Sequence, residues 1–165
     1  RFNDTLELLP FLMIFMPLII ASGGNSGSQA STLVIRAMAM DELRLRDWWR
    51  VARREIGTGI TLGIILGSIG MALAFILFSF FPPSEQAAAF TAATIFRIGA
   101  TVAGSLTGVV LFGTITGSML PFILRRLSLD PASASAPLVA TLVDVTGLVI
   151  YFSTATVLLG DLFRL

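Results

Sequence analysis

One acidic residue, Asp144, lies well inside a long apolar stretch of the sequence. Pro137, where that stretch begins, precedes it by ~10 Å of helix. An unpaired carboxylate is costly to bury in hydrocarbon, so an acid at this depth predicts a functional site. Ala136, Ala140 and Gly147 would share its helix face, where small side chains expose backbone carbonyls beside the carboxylate. The pattern predicts a cation site.

The alternative for Asp144 is a structural ion pair. Arg97 is the one cation that could reach a matching depth, and only if its own apolar stretch is strongly tilted. The chain also has no Cys and no His, so a metal site must be built from oxygen, which suits hard cations such as Mg²⁺ or Ca²⁺. A net charge of +1 gives no reason to expect nucleic acid as a partner.

The tetrad at 24–27 matches the G-x-S-G elbow of intramembrane serine proteases, whose serine needs a histidine base. The chain contains no histidine, so we expect no enzyme activity. The small polar run at 22–28, which includes Gly24, Asn25 and Gly27, fits better as a broken helix whose freed carbonyls face water. The alternative is an ordinary helix break at the cytoplasmic surface.

Two further acids, Glu55 and Asp130, lie beside the ends of apolar stretches. Both are candidates for a cytoplasmic mouth that attracts cations. The alternative for each is a solvated helix cap or a salt bridge to nearby arginines.

Composition places these residues in a membrane. Hydrophobic residues make up 55% of the chain and the mean hydropathy is +0.89, which is high for a soluble domain. Each crossing needs about 20 apolar residues. The sequence predicts an all-α, multi-span pore domain over residues 1–165, with four spans at about 6–22, 57–81, 87–124 and 137–159.

The positions of the arginines predict which loops face the cytoplasm, because short cytoplasmic loops are rich in positively charged residues. The connection at 82–85 has none, whereas the predicted cytoplasmic loops, about 25–56 and 125–136, hold Arg36, Arg44, Arg46, Arg50, Arg53, Arg54, Arg125 and Arg126. Both ends of the chain would then lie outside, so we expect an odd number of spans upstream.

The segment at 41–55 carries Trp48 and Trp49 among alternating charges, which predicts an amphipathic helix lying in the interface. Glycines at four-residue intervals predict close helix packing. These glycines are Gly59, Gly63 and Gly67 in the second span, and Gly104 with Gly108 and Gly113 with Gly117 in the third.

Several segments resemble the MgtE family of magnesium channels and transporters. Residues 22–36 (SGGNSGSQASTLVIR) resemble the cytoplasmic end of that family's second span, and 130–147 (DPASASAPLVATLVDVTG) resemble its fifth. The Arg54-Glu55 junction and the MLPF at 119–122 match in order. The resemblance covers nearly the whole chain and makes our four spans the family's second to fifth.

The resemblance implies a homodimer with a pore on its two-fold axis, in the cell membrane, most simply a bacterial inner membrane. Asp144 of each subunit would hold a largely hydrated Mg²⁺, with backbone near Ala140, Gly147, Gly24 and Gly27 contacting its water shell. Family members often carry a polar residue where this chain has Ala136. A first span, a cytosolic N-domain and paired CBS domains are expected in the full-length protein.

The function that follows is selective magnesium permeation down its gradient. One alternative is a cation-coupled exchanger of divalent metals that uses the same site. Another is a membrane assembly subunit that transports nothing and whose glycines serve packing alone.

Overall fold

The computed structural model describes residues 2–80 and 92–163, and these form four long helices. They are α1 (Phe2–Ala39), α2 (Trp48–Phe80), α3 (Ala92–Arg126) and α4 (Pro131–Phe163), with a single 3-10 turn at Leu45–Asp47 before α2. The predicted all-α class is confirmed. The connection at 82–85, predicted to face outside, lies outside the described residues.

Three helical segments are long and apolar enough to cross a membrane: Leu45–Phe80, Ala92–Arg126 and Ala136–Gly160. They overlap the second, third and fourth predicted spans, although the first of these segments begins at Leu45, well before residue 57. The first predicted span, at 6–22, falls in the N-terminal half of α1 and stays a prediction. At 35 residues, α3 exceeds the ~20 that one crossing needs, which fits a tilted or projecting helix.

Helix α3 is the centre of the bundle. It packs against α2 on one side and against α1 and α4 on the other, and α1 and α4 also contact each other. Val102, Val109 and Val110 of α3 are fully buried, as are Val139 and Val143 of α4. The apolar core therefore forms around one helix.

Glycines set the close approach of α2 to α3, as their spacing predicts. A Cβ built at Gly63 would lie 2.9 Å from the Thr107 Cα, and one at Gly67 would lie 2.8 Å from the Ala103 carbonyl oxygen. The Thr107 hydroxyl also donates a 3.0 Å hydrogen bond to the Gly63 carbonyl. Small residues that let backbones approach, together with an interhelical hydrogen bond, are the usual means of packing helices in lipid.

Helices α1 and α3 cross where glycines of one helix face glycines of the other. A Cβ at Gly113 would overlap the backbone of Gly23, and one at Gly117 would overlap the backbone of Gly27. The two backbones touch, so any larger side chain here would force the helices apart.

The prediction of a broken helix at 22–28 is wrong, because α1 is continuous from Phe2 to Ala39 and contains no glycine with a positive φ. Serine side chains in this run bond within the helix: the Ser22 hydroxyl donates to the Leu18 carbonyl and the Ser26 hydroxyl to the Ser22 carbonyl. Packing on α3 keeps the glycines helical.

The connections on the arginine-rich side are shorter than predicted. Val34 and Met38 extend α1 to Ala39 by packing on Phe122 of α3, and α4 already begins at Pro131. The residues at 41–55 form the 3-10 turn and the first turns of α2. This corrects the prediction of a separate interfacial helix: the amphipathic segment is continuous with a span.

Candidate functional site

Asp144 lies on the outer surface of this four-helix unit, at the seam between α4 and α1. It follows the start of the apolar segment at Ala136 by ~12 Å of helix, which places it well inside the span. Its side chain is exposed, and among the described residues its carboxylate has no hydrogen-bond or ion-pair partner.

Gly24 of α1 lies beside this carboxylate. A Cβ built there would lie 3.8 Å from Asp144 Oδ1, so a methyl group would just fit and anything larger would press on the carboxylate. The structure therefore brings two predicted site residues together across a helix pair. The missing side chain at Gly24 leaves space beside the carboxylate.

The rotation of α4 is set by two valines that fit against glycines of α1. A Cβ at Gly23 would lie 2.8 Å from Val143 Cγ1, and one at Gly27 would lie 2.7 Å from Val139 Cγ1. Both valines are fully buried. Since Asp144 follows Val143, burying these valines turns the carboxylate out toward the seam.

The other predicted residues on α4 occupy different positions around that helix. Gly147 is buried, and a Cβ there would lie 3.3 Å from Val109 Cγ1 and 3.9 Å from Ile20 Cγ1. Ala140 is half-buried, and Ala136 is exposed near the beginning of the helix. Gly147 and Gly27 therefore face the packed interior, whereas Asp144 and Gly24 lie at the edge of the open face.

Polar residues continue the open face along α1. Asn25, Gln29 and Thr32 are all exposed, at a spacing of four and three residues that places them on one side of the helix. Sequence reasoning selected Asn25 but missed Gln29 and Thr32. Their helical spacing was the available signal, and it was hidden by the expectation that the helix breaks here.

The two other acids predicted as site residues, Glu55 and Asp130, lie near the arginine-rich ends of the helices. Glu55 is half-buried in a cleft of about 490 Å³ that Arg36, Arg50 and Arg54 also line. Asp130 accepts a 3.0 Å hydrogen bond from the Ala132 amide, which makes it a cap of α4. Neither approaches Asp144. Among the described residues, no three acidic side chains cluster closely enough to hold a metal ion.

Arg97 does not pair with Asp144. Its Nε donates a 2.7 Å hydrogen bond to the Leu158 carbonyl. Leu158 lies about four helical turns, or ~21 Å, along α4 from Asp144. The structural ion pair considered for Asp144 is therefore absent from the described part of the chain.

Long apolar helices, one of which carries an unpaired carboxylate well inside its apolar segment, define a helical membrane protein. Residues 16–154 match the MgtE family model, described as a divalent cation transporter. The chain belongs to the MgtE family.

Curated relatives agree with this assignment. The chain is 41% identical over 158 residues to the magnesium transporter MgtE of Thermus thermophilus and 34% identical over 161 residues to that of Bacillus subtilis, covering 96% and 98% of this chain. A third match, 26% over 145 residues and 88% of this chain, is the Enterococcus faecalis magnesium transporter MgtE. The chain spans about a third of the length of these relatives, 32%, 32% and 29% respectively.

Proposed function

We propose that this chain forms a magnesium permeation pathway at the two-fold axis of a homodimer, with Asp144 as the carboxylate that selects the ion. The observation that carries the proposal is the position of Asp144: well inside an apolar segment, unpaired among the described residues, and on the outside of the bundle. The names of the relatives supply magnesium as the ion.

An exposed carboxylate at this depth cannot face lipid without a large cost, so it must face water or another protein surface. A second copy of the chain meets both needs. Exposed apolar side chains of α4, Leu142, Val145 and Val149, lie within five residues of Asp144 along the helix and provide a surface for packing. Two copies joined there would enclose the polar strip formed by Asp144 and Asn25.

The chemistry of such a pore suits Mg²⁺. This ion gives up its water reluctantly and is usually held by one or two carboxylates while several waters remain bound. Each Asp144 carboxylate would accept hydrogen bonds from those waters, and the missing side chain at Gly24 leaves room for the hydration shell. Two unit charges at ~5 Å attract a divalent ion by several kcal/mol each, even at an effective dielectric of about 20.

The test is Asp144→Asn in the intact protein, reconstituted in liposomes. The amide keeps the size of the side chain and removes the charge from both subunits. Losing even ~2.7 kcal/mol of attraction would weaken ion occupancy about a hundredfold. We expect normal folding and dimerisation with magnesium flux or selectivity lost, whereas Asp130→Asn, at a helix cap, keeps both. Unchanged magnesium affinity and selectivity in Asp144→Asn would refute the assignment.

Flux measurements in the same liposomes distinguish a channel from an exchanger and from an assembly subunit that transports nothing. A channel passes current when only a voltage is applied. An exchanger requires a counter-ion on the opposite side, and an assembly subunit gives no flux in either case. We expect voltage-driven magnesium current. The length of the relatives beyond the matched third leaves room for the cytosolic regulatory domains that the resemblance implies.

A further inference from the structure

A cleft of about 610 Å³ lies where α2 begins and α3 ends, away from Asp144. Its walls combine two guanidinium groups with apolar side chains. The lining residues are Leu45, Arg46, Trp48, Met119, Phe122, Ile123 and Arg126. A space that is cationic at one end and apolar along its walls fits an amphiphile with a negative head.

The positive charge in the cleft is not balanced by a neighbouring acid. Asp47, the acid next to Arg46, accepts a 3.0 Å hydrogen bond from the Arg44 amide and lies 3.9 Å from the Arg50 guanidinium. Arg126 ends α3, where its charge is held near the negative end of the helix dipole. Among the described residues, Arg46 and Arg126 have no ion-pair partner.

The cleft lies at the arginine-rich ends of two helical segments that each contain a candidate membrane span. One of these segments begins at Leu45 and the other ends at Arg126, and such ends are where lipid head groups are expected. Trp48 and Trp49 are 50% and 59% exposed, and their rings meet edge to face at 5.5 Å. Exposed tryptophans beside arginines at the ends of spans are typical of residues that contact lipid head groups.

We propose that this cleft binds an anionic phospholipid. Its phosphate lies between the guanidinium groups of Arg46 and Arg126, whose planar forks match phosphate oxygens. An acyl chain lies along Leu45 and Ile123, which are 42% and 53% exposed, with buried Phe122 behind them. A soluble phosphate would use only the arginines and leave the apolar wall uncovered. A bound lipid would tie the start of α2 to the end of α3.

The experiment measures how strongly brominated lipids quench Trp48 in the intact protein, with Trp49→Phe in every sample. Brominated phosphatidylglycerol is compared with brominated phosphatidylcholine in mixed bilayers. We expect phosphatidylglycerol to be preferred, and Arg46→Gln or Arg126→Gln each to reduce that preference about fivefold. Arg46→Lys should retain part of it, because it keeps the charge and loses the fork.

Arg53→Gln is the matched control, since Arg53 is an exposed cation of the same region that does not line the cleft. It should leave the preference unchanged, and inorganic phosphate in excess should not displace the lipid. Equal quenching by the two lipids would overturn the proposal, as would displacement by inorganic phosphate. An equal loss in Arg53→Gln and Arg46→Gln would also overturn it, because that result means diffuse attraction without a site.

Discussion

Asp144 on α4 and Gly24 on α1 meet across a seam in which a Cβ at Gly24 would lie 3.8 Å from Asp144 Oδ1. That separation is ordinary van der Waals contact, whereas one turn along α1 a Cβ at Gly27 would lie 2.8 Å from the Gly113 carbonyl oxygen. The same helix therefore carries one glycine beside the candidate ion site and another that closes a packed crossing. Substituting each in turn separates conduction from folding.

Gly24→Ala should fold normally and reduce magnesium flux, because the added methyl group takes space that the ion's hydration shell needs. Gly27→Ala should lower the thermal unfolding temperature, since overpacking of a tight interface costs about 1–3 kcal/mol. Thermal unfolding in detergent and flux in liposomes measure the two effects. If Gly24→Ala is unfolded, or if it conducts normally, the role given to this seam is wrong.

Two glycine-to-alanine substitutions, one on α3 and one on α2, should change the stability of the protein in opposite directions. Gly117→Ala should destabilise the protein by about 1–3 kcal/mol, because the new Cβ overlaps the Gly27 backbone. Gly57→Ala meets nothing within 4 Å and should stabilise α2 by about 0.5–1 kcal/mol, the usual gain from replacing a glycine within a helix. Denaturant titration of both variants checks this. Equal effects would mean that the α1–α3 crossing is not tight.

Helix packing was predictable from the sequence to a larger extent than the site. A four-residue glycine repeat places Gly59, Gly63 and Gly67 on one face whichever helix lies opposite, so their packing role followed from periodicity. The glycine and serine run at 22–28 misled because its composition resembles a break. Their role in packing becomes visible only once α3 is in place, because its backbone contacts these glycines directly.

The orientation of the Asp144 side chain could not be predicted from the sequence either, because it also depends on a tertiary contact. Helical spacing groups Ala140, Asp144 and Gly147 on one side of α4, but it does not say how far that side turns toward the core. The fit of Val139 and Val143 against α1 decides this, burying Gly147 and leaving Asp144 at the open seam. That fit is a tertiary contact with no local signal.

Tyr151→Phe should destabilise the protein by about 1 kcal/mol, the usual contribution of one hydrogen bond. The buried Tyr151 hydroxyl donates a 2.7 Å hydrogen bond to the Leu12 carbonyl and so ties α4 to α1. Thr156→Val is the control, because the Thr156 hydroxyl is exposed and bonds to Phe152 of its own helix. Equal stability of the two variants, measured by thermal unfolding, would contradict the role of this tie.

Ser128→Gly should stabilise the protein by about 1 kcal/mol, because Ser128 has a φ of 60°, which costs an L residue and not glycine. The turn is a Schellman motif: the Leu129 amide donates to the Leu124 carbonyl at 2.9 Å and the Ser128 amide to the Arg125 carbonyl at 3.2 Å. Ser128→Ala keeps the strain and should give no gain. If alanine stabilises as much as glycine in chemical unfolding, backbone strain is not the cause.

The arrangement of two copies is the step on which the proposed pore depends, and cross-linking tests it. The chain has no cysteine, so single cysteines introduced into it report position. Thr141 is exposed on α4 about one turn before Asp144, on the side that the proposed axis faces, whereas Ile64 is 55% exposed on α2 at the far side of the bundle. With a short thiol-reactive cross-linker in native membranes, Thr141→Cys should give a covalent dimer and Ile64→Cys should stay monomeric.

Excess magnesium should slow the reaction at Thr141→Cys, because the ion occupies the space between the two copies. Cross-linking through Ile64→Cys alone would place the axis on α2, turn Asp144 away from it, and rule out the paired carboxylates of the proposed pore.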